Sequence, residues 1–221
     1  MPTIIEGREF TGFPGRDAHA LRELTFAGRV AWLRYRYDLV FAAAFRTLLD
    51  ADNHGPYIWL CTVNLLCTAI QALSGFEFSG RPDQQRFISF VEKYFPGFVN
   101  AGLHLSDPRP RGADNAQTPA EHLYKFFRSG LAHSFCIEWG GIQHRDELPV
   151  PIEGYLFEVH PGAPGFGALG VVPRDFVLAF HAAVEQFFTA AAVWPDASPE
   201  RLTFDRCFRR VFLLKDRPPI P

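Results

Sequence analysis

The sequence predicts a mainly α protein, a bundle of four to six helices with a small β-hairpin or sheet insertion around residues 136–172. Three observations predict it. Helix stops and starts punctuate the chain at Asn53-His54-Gly55-Pro56, Arg81-Pro82-Asp83 and Thr118-Pro119-Ala120-Glu121. The segments between them carry apolar residues at helical spacing. After His133 the pattern changes to short runs rich in strand formers. A chain of 221 residues is expected to form a single domain over 1–221.

Taken in order, residues 1–17 read as irregular, because Gly7, Gly12, Pro14 and Gly15 interrupt them. Ala18 to Ala51 reads as helix with a break near Gly28. Trp32, Leu39, Phe41, Phe45, Leu48 and Leu49 give it a broad apolar face, and Arg34 and Asp38 stand at i,i+4 to pair on the other side. Pro56 to Ser74 is apolar nearly all round, the mark of a buried helix. Its polar members Asn64, Thr68 and Gln71 fall at i, i+4 and i+7. That puts them on one stripe, facing either solvent or a site. A third helix ends near Tyr94, before Pro96-Gly97. Residues 97–117, with Arg109 and Arg111 among prolines, form a long loop. Thr118 at the N-cap, Pro119 at N1 and Glu121 at N3 open a fourth helix. Glu121 and Lys125 at i,i+4 read as a surface pair. Phe135 to Trp139, Gly141 to His144, Tyr155 to Val159 and Gly170 to Pro173 read as strand. Arg174 to Val193 and Ser198 to Leu214 close the chain as helices.

Composition excludes several classes. A net charge of −2 is no general nucleic-acid footprint, although a local basic cleft is compatible with it. Nearly all basic residues are Arg; Lys93, Lys125 and Lys215 are the lysines. The 23 Phe imply a large aromatic core or a buried interface. Met1 to Arg16 lacks the apolar core of a signal peptide. The most apolar run, Tyr57 to Leu73, is interrupted by Thr62, Asn64, Thr68 and Gln71, so no membrane span is expected and the location is expected to be cytoplasmic. Cys61, Cys67, Cys136 and Cys207 form no CxxC pair and read as reduced, buried thiols. The histidines show no ligand spacing. No metal and no cofactor are expected.

The segment Tyr124-Lys125-Phe126-Phe127-Arg128-Ser129-Gly130-Leu131-Ala132-His133-Ser134-Phe135 carries the chemistry. Arg holds a fixed positive charge that suits phosphate, and His exchanges a proton near neutrality. The spacing alone decides nothing: it occurs at Arg128–His133 and again at Arg174–His181, about as often as chance allows. The second pair reads as one exposed stripe of a regular helix. In the first pair, five residues of regular helix diverge by about 140°. The two side chains converge only if Ser129-Gly130 disturbs the helix or a second subunit brings its own pair. A structural alternative pairs Arg128 with Glu121 or Asp175 and sets His133 at a helix C-terminus.

Phe127 to Phe135 resembles the signature of the HEPN superfamily: an Arg, a small polar residue, a variable stretch and a His, within a four- to five-helix bundle. The specific match spans about a dozen residues. Ser129 stands where many members have Asn, and Phe135 where toxin members often have Tyr. The resemblance implies a HEPN-like fold and a metal-independent endoribonuclease acting as a homodimer. The site it implies has Arg128 and His133 as catalytic residues. His133 takes the proton of a ribose 2′-hydroxyl, and Arg128 stabilises the phosphate on the way to 2′,3′-cyclic phosphate and 5′-hydroxyl ends. Ser129, Asn64 and Gln71 are the candidate substrate-binding residues. Roles in bacterial defence, stress response or toxin–antitoxin pairs, with RNA or nucleotide as ligand and an antitoxin or other protein as partner, belong to that expectation. The competing readings are an inactive HEPN-like module binding nucleotide, RNA or protein, and a helical scaffold unrelated to that superfamily.

Overall fold

A computed structural model describes residues 2–50, 55–99, 102–109, 112, 115–133, 137, 139–143, 154–159 and 167–212. They are mainly helical, with two small sheets. The chain opens with a hairpin rather than the expected irregular stretch. Strands β1 (Thr3–Ile5) and β2 (Arg8–Phe10) pair antiparallel, Ile5 opposite Arg8. Glu6 and Gly7 both take positive φ, 49° and 76°, as a two-residue primed turn requires. The Glu6 carboxylate accepts from the backbone N–H of Thr25 (3.2 Å) and from its hydroxyl. These bonds, the hydroxyl's first, hold its pKa below the usual carboxylate value.

The long helix expected over 18–51 is broken into pieces. Helix α1 (Pro14–Arg22) is followed by a break at Glu23 to Thr25, ahead of the expected one at Gly28. Thr25 caps α2 (Phe26–Tyr37) by accepting from the Gly28 N–H at 3.1 Å. Gly28 lies inside the first turn, where a Cβ would come within 2.6 Å of the Glu6 carboxylate. A first π turn (Asp38–Ala42) then leads into α3 (Ala43–Asp50). Arg34 reaches across to both carboxylate oxygens of Glu185 (2.7 Å), and its charge also favours the ionised form of Asp38 four residues on.

Helix α4 (Pro56–Phe78) is the hub, packed by α3, α5 (Asp83–Tyr94), α9 (Pro173–Ala192), α10 (Pro199–Phe212) and the segment that carries Arg128. By length and composition, Tyr57–Phe78 is apolar enough to cross a membrane, and 50% of its most apolar window is buried inside the fold. Two aromatic layers pack around it, as the Phe content implies. On one side Phe90, Phe95, Phe98, Phe176, Phe180 and Phe187 interlock, with Phe95 and Phe176 5.8 Å apart edge to face. On the other, Trp32 is fully buried against Phe208 and Phe212, at 5.7 and 4.8 Å. Each such pair adds roughly 0.5–1.5 kcal/mol beyond its buried area. Arg29 on α2 donates to Asp205 on α10 at 2.7 Å, with its side chain only 10% exposed.

A short helix α6 (Pro96–Val99) begins the expected long loop. Asp107 organises the loop. Its carboxylate accepts from the backbone and side chain of Arg109 and from the backbone N–H of Ala116, at 2.8 Å. The Arg109 guanidinium, first among these causes, holds that carboxyl far below the usual carboxylate range. Arg109 also lies over Phe126 at 5.3 Å, so this arginine serves the loop. Arg111 lies outside the described residues.

The β-rich insertion appears as a sheet of three strands in the order β3 (Gly141–Ile142), β5 (Ala168–Val171), β4 (Leu156–Val159). The central β5 is parallel to β3 and antiparallel to β4. The long loop extends it through a bridge from Leu105 to Gly167 and a bond from Ser106 N–H to Gly167 C=O at 2.8 Å. Most of the expected strand from Phe135 to Trp139 lies outside the described residues, and so does Cys136. Cys67 and Cys207 are buried as expected, but Cys61 is exposed.

Candidate functional site

The helix bearing the motif begins as the sequence predicts. The Thr118 hydroxyl accepts from Glu121 N–H at 3.2 Å, and the Glu121 carboxylate accepts from Thr118 N–H at 3.0 Å. This capping box opens α7 (Pro119–His122). It also engages Glu121, whose carboxylate accepts from Gln117 N–H as well (2.5 Å); the expected Glu121–Lys125 pair gives way to the cap.

The next turn has no sequence signature. Leu123–Arg128 forms a second π turn, in which Ser129 N–H reaches back five residues to Tyr124 C=O. A π turn inserts an extra residue into a helix and recurs at functional sites. It ends at Arg128. Beyond it, α8 (Ser129–His133) is ordinary α-helix. The distortion expected at Ser129-Gly130 therefore lies upstream of the arginine, and Gly130 sits buried within the helix. Between positions 128 and 133 the backbone keeps the separation of about 140° around the axis that regular helix imposes. The side chain of His133 lies outside what the structure describes.

Arg128 is half-buried and reaches a groove of about 280 Å³. The opposite wall is α4: Asn64, Thr68 and Gln71, joined by Cys67 and Ala72. The polar stripe of the second helix thus faces the arginine. Arg128 lies over the ring of Tyr124 at 5.8 Å, four residues earlier. Among the described residues, no carboxylate pairs with it, neither Glu121 nor Asp175. Burial pushes the Cys67 thiol up to about 12 against the pull of Arg128, so that thiol is neutral near pH 7 and offers the arginine no counter-charge. The Thr68 hydroxyl donates to Asn64 C=O (2.9 Å), which leaves its oxygen free to accept. Among the described residues, neither amide atom of Gln71 meets a partner, although both are buried. Ser129 is half-buried and does not line the groove.

Of the candidate residues, the structure brings Arg128, Asn64 and Gln71 together. Cys67 and Tyr124 were not foreseen, although i,i+4 spacing from Gln71 and from Arg128 points to both. The second Arg–His pair is not the exposed stripe expected of it. His181 is half-buried, and its Nδ1 shares a hydrogen bond of 2.8 Å with Tyr37 Oη while its ring packs edge-on against Phe45. Burial, opposed by the charges of Asp38 and Glu185, lowers its pKa.

Comparison with known proteins adds no relative: no family model matches the chain, and no curated protein or solved structure matches it significantly.

Proposed function

We propose that the chain is a metal-independent endoribonuclease of HEPN type, active as a cytoplasmic homodimer. The observation that carries this reading is the groove in which Arg128, with no carboxylate partner among the described residues, faces the polar stripe of α4. A guanidinium with open donors beside amide and hydroxyl groups suits a phosphodiester and its ribose. Arg128 holds the scissile phosphate and stabilises the charge that develops on its oxygens. The Gln71 amide, donor and acceptor both unspent, serves the neighbouring phosphate oxygen and ribose hydroxyl. His133 supplies the base that takes the 2′-hydroxyl proton. The nucleophile is the substrate's own 2′-oxygen, and the products are a 2′,3′-cyclic phosphate and a 5′-hydroxyl. Regular α8 turns positions 128 and 133 about 140° apart, so catalysis of this kind needs two copies: the Arg128 of one protomer works with the His133 of its partner across a two-fold axis.

The test is cleavage of a mixed RNA substrate in EDTA by wild type, Arg128→Ala and His133→Ala. Cleavage that survives chelation and falls at least 100-fold in both variants supports the enzyme; a loss of this order is usual when a charge-stabilising group or general base is removed. RNA retained on a filter without cleavage points instead to a binding module of the same groove.

A further inference from the structure

A second cavity lies between α2, α4, α5 and α10. It holds about 350 Å³, inside the range of roughly 300–1,000 Å³ usual for small-molecule sites. Leu33, Phe41, Leu73 and Phe76 make its wall apolar, yet three arginines line it as well: Arg36, Arg86 and Arg210. Among the described residues, no acidic side chain lines it. Arg36 donates to Gly12 C=O and lies over the rings of Trp32 and Phe212, both at 5.9 Å. Arg86 pairs with the exposed Asp83 one turn earlier, while its Nε is buried with no partner among the described residues. Arg210 is exposed, and no carboxylate among the described residues pairs with it. Gln71, whose buried amide has a donor and an acceptor to spare, lines this cavity as well as the Arg128 groove.

A buried Arg86 Nε with no partner among the described residues, beside two further arginines at the edge of an apolar chamber, suits a ligand with one anionic end and one hydrocarbon end. We propose that this cavity binds a medium-chain carboxylate, its head group on the arginines and its tail against Leu33, Leu73 and Phe76. Binding here does not depend on whether the Arg128 groove serves RNA. The two sites differ in kind, because the groove offers one cation and a polar wall, and this chamber three cations and an apolar one.

The test is isothermal titration of the full chain with decanoate, decanol and decyltrimethylammonium, each below its aggregation limit. Decanoate is expected to bind at one site per chain, decanol at least ten-fold more weakly, and the cation not at all. From hexanoate to decanoate, affinity rises about four-fold per added methylene until the chamber is full. The double variant Arg36→Gln/Arg210→Gln makes decanoate bind no better than decanol, and Val40→Trp, at the exposed rim, weakens both. If circular dichroism shows the double variant unfolded, Arg210→Gln alone carries the test and weakens decanoate at least three-fold. Equal affinity for all three probes, or a preference for decanoate that survives loss of the arginines, overturns the proposal. So does binding that weakens as protein concentration rises, which gives the cavity to a second copy of the chain.

Discussion

Gln71 shows how a side chain can cost stability for the sake of a surface. A buried amide with no partner destabilises a fold by roughly 1–3 kcal/mol, and both its polar atoms are in that state. Gln71→Met is therefore expected to raise the melting temperature by a few degrees while weakening RNA retention on a filter; a fall in both would make Gln71 a structural residue. Its position was legible, because i, i+4, i+7 spacing with Asn64 and Thr68 fixes a stripe. The spacing did not say what the stripe faces, since nothing local connects α4 to a residue more than fifty positions later. Acid sensitivity also belongs at this scale. His122 is fully buried, and burial, outweighing the pull of Asp107, lowers its pKa. The unfolded chain then binds the proton more readily, so this contribution is complete above about pH 6.5 and is lost as pH falls below it. Asp17 acts lower down. Burial works against its charge, but hydrogen bonds from Thr11, Gly12 and Trp32 win, and its pKa is depressed. Its contribution is present above about pH 4 and disappears as pH falls through the folded value. Urea denaturation at pH 7 and pH 5 is expected to show lower stability at pH 5, with a smaller difference in His122→Phe.

Among the elements, the caps were the most legible. Thr118, Pro119 and Glu121 specify a helix start by hydrogen bonds that need only local sequence, and the capping box forms as read. Thr118→Ala is expected to cost about 1 kcal/mol, read as a lower urea midpoint at unchanged slope. The hairpin escaped the sequence because its turn is Glu6-Gly7, where Asn-Gly or Asp-Gly is the usual signal; Glu6 holds positive φ with help from the Thr25 bonds. The π turns left no trace either. They arise when packing favours one extra residue over regular hydrogen bonding, and Leu123, Phe126 and Phe127 are all buried there. Deleting Lys125 should restore ordinary helix and swing Arg128 by about 100° relative to the upstream turn. Helical circular dichroism is then expected to persist while RNA cleavage disappears; activity retained at the wild-type level would mean that the turn does not aim the arginine.

For the molecule as a whole, the proposed function requires two copies, and sedimentation should detect a dimer at micromolar concentration that Arg128→Ala and His133→Ala leave intact. The mainly helical class and the starts of α4, α5 and α7 could be read from the chain because their punctuation is local. The partners of each helix could not, because an apolar face does not specify the face it meets. The meeting of α2 with α10 is the clearest case. Trp32 finds its cover in Phe208 and Phe212, and Arg29 its counter-charge in Asp205, from the opposite end of the chain. During synthesis Trp32 therefore lacks its cover until α10 has been made and has left the ribosome. A nascent chain that stalls before α10 leaves Trp32 without Phe208 and Phe212, and Arg29 without Asp205.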